Sequence, residues 1–206
     1  MTATDEHRRD RRARRGRRFF AISASSAVVV TLARLRVPLG FLSGAVVLWL
    51  AQPTARTLAI GTAIAVTGEG LRVWASGHLN KARDVTASGP YRWFAHPLYV
   101  GSSVMGVGLA VIADHAVVTG LIALYLVVTI SAAISSEEAF LRRTFGDRYD
   151  RYRRGDTPAD DRRRFSMTRA IANREHRALA GLLVAVLLLI VKATYNGTFW
   201  RAAWPQ

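Results

Sequence analysis

The distribution of apolar residues constrains this chain more than any single motif does. Half of the 206 residues are hydrophobic, and they fall in blocks of roughly 15 to 20 residues separated by arginine-rich stretches, which is the block length that a membrane-crossing helix needs. The pattern predicts an all-α, multi-pass membrane protein with about five transmembrane helices and additional cytoplasmic amphipathic helices.

The predicted elements follow the apolar blocks in chain order. Residues 1–18 are predicted to form a basic tail, residues 19–36 an interfacial helix, and residues 37–196 a single membrane domain. Gly40 and Gly44 have the spacing of small residues that lets helices approach closely. Within the domain, the predicted spans are residues 37–52, 55–76, 98–113, 117–135 and 179–195.

The basic residues predict the orientation. The formal net charge is +15, and 26 of the 29 lysines and arginines lie in residues 1–36, 72–92 and 142–177. Basic residues concentrate on the cytoplasmic side and contact anionic lipids there, so these segments and the N-terminus are predicted to be cytoplasmic. No cleavable signal is expected. Nucleic acid is not an expected partner, because no recognition module is visible. The preference for arginine over lysine is typical of high-GC bacteria, which favours the bacterial inner membrane.

A polar and aromatic loop separates the second and third predicted spans. It covers residues 88–101 and reads SGPYRWFAHPLYVG. Pro90 and Pro97 forbid one continuous helix, so His96 and Tyr99 are predicted to lie where the loop becomes a new helix. The start of a helix exposes backbone N–H groups, which favour a polar, partly anionic ligand.

Two glutamates are predicted to reach the same membrane level as His96. Only a few residues join the third and fourth spans, so these helices must pack antiparallel. Glu138 has Arg142 four residues further on, and this helical ion pair is enough to explain it. Glu137 has Leu141 at that position and is the better ligand residue for an ammonium group or a ribose hydroxyl.

The residues that follow these glutamates predict a separate cytoplasmic helix. Residues 137–152 carry large apolar side chains on one face and arginines on the other. Tyr149 and Tyr152 are interpreted as membrane-interface anchors. The basic segment 153–177 is predicted to lead to the last span.

Glu69 is a second candidate for chemistry. A carboxylate within a span suggests a functional site, because its burial is costly. The alternative is an ion pair with Arg72, three residues further along the same helix. No metal site is predicted, and the absence of cysteine excludes thiolate zinc sites and cysteine nucleophiles.

Three segments together resemble a known family. They are GLRVWASGHL (70–79), TASGPYRWFAHPLYVG (86–101) and EEAFLRRTFGDRYDRY (137–152). In combination they resemble the isoprenylcysteine carboxyl methyltransferase and phospholipid methyltransferase group of integral-membrane enzymes, which use S-adenosylmethionine. The resemblance extends over about residues 60–153.

The resemblance implies a set of cofactor-binding residues. The positions that match the family's cofactor contacts are Tyr91, His96, Pro97, Leu98, Tyr99 and Glu137. A further cofactor-binding stretch matches by position, although its residue types differ, at Arg83, Asp84, Val85 and Thr86. Ala95 stands where the family's histidine motif has arginine, which Arg92 is expected to replace. Ala133 stands where the prenylcysteine enzymes have a substrate-binding arginine, which counts against a prenylcysteine carboxylate as acceptor.

The chemistry of methyl transfer suits these residues. Transfer from a sulfonium neutralises charge, needs neither metal nor covalent nucleophile, and gains most from positioning and exclusion of water. Tyr91, Trp93 and Tyr99 are candidates to hold the adenine and the sulfonium. An amine or hydroxyl acceptor must lose a proton, and the candidate catalytic bases are His96 and Glu69.

The sequence therefore predicts S-adenosylmethionine-dependent methyl transfer to a lipid-like or prenylated acceptor at the cytoplasmic membrane face. One alternative is an NADPH-dependent enzyme similar to the membrane sterol reductases, which carry a related histidine-tyrosine loop. Another is a non-catalytic scaffold of the same fold, which Ala95 and Ala133 would tolerate. The acceptor and the oligomeric state stay open.

Overall fold

A computed structural model describes Gly40 and residues 42–81, 83–158 and 163–201. Apart from Gly40, these residues belong to the second of two units of the chain, residues 41–206. The predicted basic tail and interfacial helix, residues 1–36, lie outside the described part.

Helices form all the regular structure of the described residues, which confirms the predicted all-α class. A short 3₁₀ helix, Gly89–Arg92, lies in the central loop. The α-helices are α1 (residues 42–50), α2 (Ala55–His78), α3 (Pro97–Ala113), α4 (Ala116–Phe145), α5 (Asp147–Arg154), α6 (Met167–Ala172), α7 (Glu175–Tyr195) and α8 (Thr198–Arg201).

Two of the described helices, α4 and α7, are long and apolar enough to cross a membrane, judged by length and composition. Helix α3 is apolar but shorter. Several large apolar side chains of α4 and α7 are more than half exposed, among them Leu124, Val127, Leu183 and Leu187. Exposed apolar faces of this size favour contact with lipid, and the five-span topology stays a prediction.

Helix α4 is longer than the fourth predicted span, and the prediction of a separate amphipathic helix over residues 137–152 is wrong. Helix α4 continues past residue 135 to Phe145, so residues 137–152 do not form a separate amphipathic helix. Between Gly120 and Gly146 the chain has no proline or glycine, and Gly146 takes a positive φ of 48° and ends α4; this conformation suits glycine because it lacks a Cβ. Helix α7 likewise begins at Glu175, four residues before the predicted start at 179.

Helices α2 and α3 pack antiparallel through reciprocal glycine contacts. A Cβ on Gly61 would lie 2.5 Å from the carbonyl oxygen of Gly108, and a Cβ on Gly68 would lie 2.6 Å from that of Gly101. The two pairs lie seven residues apart in each helix, so the backbones touch twice along one seam. The close approach predicted at Gly44 is absent from the described residues, since a Cβ there would meet nothing within 4 Å.

The main apolar core lies at the end of the bundle away from His96. Helix α3 separates the two ends by about 24 Å, because each helical residue advances the chain by about 1.5 Å. An open cavity of about 500 Å³ between α3 and α4 also lies toward the core end, with Asp114 and His115 on its lining. The core residues are Ala51, Leu58, Ile112, Ala113, Val118, Leu189 and Ala193.

Candidate active site

His96 is the N-cap residue of α3, and Pro97 occupies the first helical position. Its backbone is fixed by hydrogen bonds in which the N–H groups of Tyr99 and Val100 donate to the His96 carbonyl at 3.0 and 3.2 Å. Proline suits this first turn because its missing N–H would have no partner in the helix. The predicted junction of loop and helix is therefore present.

The His96 imidazole lies between two carboxylates of α4. Its Nε2 is 3.3 Å from a carboxylate oxygen of Glu138, and its Nδ1 is 3.8 Å from one of Glu137. The turn at Asp114 and His115 makes α3 and α4 antiparallel, so the last turns of α4 return to the first residue of α3. The structure thus brings together His96 and Glu137, as the connectivity predicts.

The two glutamates have different surroundings. Glu138 also forms ion pairs with Arg142 and Arg153, each at 3.2 Å, and its side chain is 16% exposed. Glu137 is 39% exposed and has the longer contact with His96. Since Glu138 is held by two guanidinium groups, Glu137 is the carboxylate better placed to accept a ligand.

Tyr91 is buried in the 3₁₀ helix beside this group. Burial raises the pKa of its hydroxyl, and the nearby charge of Glu137 raises it further. Tyr91 is therefore a neutral hydrogen-bond donor under physiological conditions.

Helix α5 holds the central loop from the other side. The Tyr152 hydroxyl donates to the carbonyl oxygens of Tyr91 and Phe94 at 2.8 and 3.4 Å, and burial raises its pKa to about 12. Tyr149 is 1% exposed, and its hydroxyl has no hydrogen-bond partner among the described residues. The interpretation of these tyrosines as membrane-interface anchors is wrong for Tyr149, which is buried, and Tyr152 serves the loop.

The three candidate aromatic residues do not form one group. The Tyr99 ring is 5.8 Å from the His96 ring, whereas the Trp93 ring is 5.7 Å from that of Trp74 and is 66% exposed. Tyr99 is thus the candidate whose ring packs beside His96, whereas Trp93 packs against Trp74.

Glu69 belongs to a different polar cluster, centred on Arg72. The Arg72 Nε lies 2.7 Å from Glu175 and 3.6 Å from Glu69. A second guanidinium nitrogen of Arg72 donates to the Ser102 hydroxyl and, at 3.4 Å, to the Leu98 carbonyl. The predicted pair of Glu69 with Arg72 is present, but the stronger partner of Arg72 is Glu175. This arrangement places Glu69 with the structural cluster rather than with His96.

The residues of the stretch from Arg83 to Thr86 differ in their surroundings. Asp84 forms two hydrogen bonds with the Arg163 guanidinium, which lowers the pKa of the Asp84 carboxyl. Thr86 is buried, and its hydroxyl accepts a hydrogen bond from the Asn80 N–H at 3.4 Å. Arg83 is exposed. The Asp84 side chain is therefore engaged by protein.

Sequence reasoning missed the roles of Glu175, Asn173 and Arg163, which lie in the segment interpreted as a basic connection. One signal was available for Glu175. It is an isolated carboxylate three residues before a long apolar run, and acidic residues are favoured in the first turn of a helix. Arg163 resembles the arginines around it and carries no comparable signal.

Fold and site together define an α-helical protein with apolar, membrane-compatible helices and a histidine-carboxylate site at one end. Residues 57–148 match the phospholipid methyltransferase family. The protein-S-isoprenylcysteine O-methyltransferase of Schizosaccharomyces pombe is 36% identical over 75 residues, which are 36% of this chain and 32% of that protein. The nickel-cobalt-cadmium resistance protein NccN of Alcaligenes xylosoxydans xylosoxydans is 30% identical over 113 residues, 54% of this chain and 51% of NccN.

These findings confirm the resemblance to the isoprenylcysteine carboxyl methyltransferase and phospholipid methyltransferase group, and the family match covers residues 57–148, less than half of the chain. The matched part of the chain spans about half the length of NccN and about a third of the yeast protein. No solved structure matches the chain.

Proposed function

We propose that the protein is a membrane-bound methyltransferase that uses S-adenosylmethionine and methylates a lipid-like or prenylated acceptor at the cytoplasmic face. The observation that carries this proposal is the His96 imidazole held between Glu137 and Glu138 at the start of α3. The match to the phospholipid methyltransferase family supports the reaction class, and the apolar faces of α4 and α7 support an acceptor that arrives from the bilayer.

The side chains present fit S-adenosylmethionine, which supplies a methyl group on a sulfonium. The partly exposed Glu137 carboxylate suits its ammonium group or ribose hydroxyls. Tyr91 and Tyr99 offer aromatic surface near a cation. The Ser88 hydroxyl, 1% exposed, has no hydrogen-bond partner among the described residues and offers another polar contact on the same loop. Pro97 and Leu98 begin α3, whose N-terminus favours an anionic group.

The protein's own contribution is positioning and proton transfer. An amine or hydroxyl acceptor loses its proton as the methyl group arrives, and His96 is the base that we assign to this step. The carboxylates of Glu137 and Glu138 stabilise the imidazolium that forms. We assign no proton transfer to Glu69, because it lies in the Arg72 cluster.

The membrane setting is part of the proposal. We place the N-terminus and the His96 site in the cytoplasm of a bacterium, with the protein in the inner membrane and its basic segments on anionic lipids. The five spans expected from the sequence would surround an acceptor that enters sideways from the bilayer.

The decisive experiment is incubation of the purified protein with labelled S-adenosylmethionine and a membrane extract, followed by identification of the labelled product. Calorimetric titration with S-adenosylhomocysteine and with NADPH accompanies it. Labelled lipid together with binding of S-adenosylhomocysteine alone supports the proposal. Binding of NADPH alone would identify a reductase-like enzyme instead, and binding of neither ligand would identify a scaffold.

A further inference from the structure

We infer that residues 163–175, called the strap below, hold the loop of residues 83–88 in place for cofactor binding. The inference rests on the proposed function, because it concerns cofactor binding at the same site. The strap lies beyond residues 57–148, the part that matches the family. It makes Arg163 and Asp84 positioning residues, which act on the loop and need not touch the cofactor.

The first attachment is the pair of Arg163 and Asp84. Two guanidinium nitrogens donate to the two carboxylate oxygens, at 3.2 and 2.5 Å. Both side chains are 20% exposed. A bidentate pair of this kind fixes direction as well as distance, so it orients the loop that carries Asp84.

The second attachment is at the C-terminus of α2, directly before the loop. The Asn173 side-chain amide donates to the carbonyl oxygens of Ser76 and Leu79, at 2.9 and 3.1 Å. The Ser166 N–H donates to the Gly77 carbonyl at 3.1 Å. The last carbonyls of a helix have no partner within it, and here the strap supplies partners for them.

Aromatic packing reinforces this second attachment. The Phe165 ring lies 6.1 Å from that of His78, and a Cβ on Gly77 would overlap the Phe165 side chain. His78 in turn packs under Gly89 at the start of the 3₁₀ helix, where an added Cβ would lie 2.7 Å from the imidazole. The strap is therefore connected to both ends of the loop.

The last residue of the strap reaches the third part of the site. Glu175 binds Arg72, and Arg72 donates to the Leu98 carbonyl in the first turn of α3. One continuous segment thus contacts the loop, the end of α2 and, through Arg72, the start of α3. A loop ordered before the ligand arrives lowers the cost of binding, which is the advantage that we assign to the strap.

The test compares Arg163→Ala with Arg164→Ala, a neighbouring arginine whose side chain is exposed. Hydrogen exchange of residues 83–88 is measured in the full-length protein without cofactor, and affinity for S-adenosylhomocysteine is measured by calorimetry. We expect Arg163→Ala to accelerate exchange in the loop and to raise Kd about tenfold, with Arg164→Ala close to the unmodified protein.

Two further variants keep the test conclusive. Arg163→Lys retains the charge but cannot form the bidentate pair of hydrogen bonds, and we expect an intermediate effect on loop exchange and on Kd. The double variant Asp84→Arg with Arg163→Asp restores an ion pair, and we expect it to recover part of the affinity. Turnover at saturating S-adenosylmethionine should change much less than KM, because neither residue is assigned to the chemical step.

The outcomes separate this inference from the proposed function. Unchanged loop exchange in Arg163→Ala would overturn the strap, whatever the affinity. Faster loop exchange in a protein whose unmodified form binds no S-adenosylhomocysteine would retain the strap as a loop-holding element and overturn the cofactor assignment. Faster exchange in the loop with an unchanged Kd would overturn the claim that the strap contributes to cofactor binding.

Discussion

The Tyr152 hydroxyl of α5 donates to the backbone carbonyl of Tyr91, 61 residues earlier, at 2.8 Å. This bond joins the end of the motif FGDRYDRY (145–152) to the loop before His96. It gives that motif a physical role. The chain turns at Gly146, and α5 then places Tyr152 against the central loop.

Replacement of Tyr152 by phenylalanine should therefore destabilise the protein, and the matched control is Tyr149→Phe. Tyr152→Phe removes the hydroxyl that donates to the Tyr91 and Phe94 carbonyls and should lower the free energy of unfolding by about 1 kcal/mol. Tyr149→Phe removes a buried hydroxyl that has no partner among the described residues, and should be neutral or stabilising. Denaturant titration in detergent measures both, and equal losses would contradict the assigned difference.

The close glycine contacts between α2 and α3 give a second prediction, which compares two substitutions in α2. Gly61→Ala places a methyl group against the backbone of α3 and forces the two helices apart, so we expect a loss of about 2 kcal/mol or more. Gly70→Ala meets nothing within 4 Å and should stabilise α2 by up to about 1 kcal/mol. Thermal unfolding of both variants is the measurement. A harmless Gly61→Ala would show that the α2–α3 contact is looser than described.

Substitution of the two glutamates beside His96 should have different effects on ligand binding and on stability. Glu137→Ala should raise the Kd for S-adenosylhomocysteine by about tenfold or more, since it removes the carboxylate assigned to the ligand. Glu138→Ala should affect binding less and stability more, because it leaves Arg142 and Arg153 without this partner. Calorimetry and thermal unfolding of the same samples distinguish the two. Equal effects on binding would refute the division.

The pair of Asp84 and Arg163 predicts a specific pH dependence. The folded-state pKa of Asp84 is lowered below its ordinary value of 3.8 by the Arg163 hydrogen bonds. The stability that results is fully present above pH 3.8 and is lost as the pH falls through the lowered value. The difference in unfolding free energy between the unmodified protein and Asp84→Asn should thus be constant from pH 7 to about pH 5 and shrink in stronger acid. A difference that grows in acid would contradict this assignment.

The sequence predicts the centre of the site well because short connections leave little freedom. Pro97 fixes where α3 begins, and the turn at Asp114 forces α4 to return alongside it, so His96 and Glu137 must meet. The distinction between Glu137 and Glu138 follows from residues one helical turn away. These are local or nearly local relations, which periodicity and spacing can express.

What the sequence could not predict depends on contacts between distant segments. Arg163 reaches Asp84 across 79 residues, and Glu175 reaches Arg72 across 103; nothing in the sequence names either partner. The burial of Tyr149 could not be predicted either, because an amphipathic pattern fits a membrane surface and a protein surface equally well. The unbroken course of α4 was missed because its composition changes sharply after residue 135 while its backbone does not.

Because α4 is unbroken, its apolar part and its polar end move together. The apolar stretch that would lie in the bilayer and the two carboxylates beside His96 are parts of one rigid rod from Ala116 to Phe145. A change in bilayer thickness that tilts the rod therefore moves Glu137 and Glu138 relative to an imidazole anchored on α3. If α4 crosses the bilayer, as the proposed function has it, lipid composition would affect the distance between these carboxylates and His96 without any change in the site's own residues.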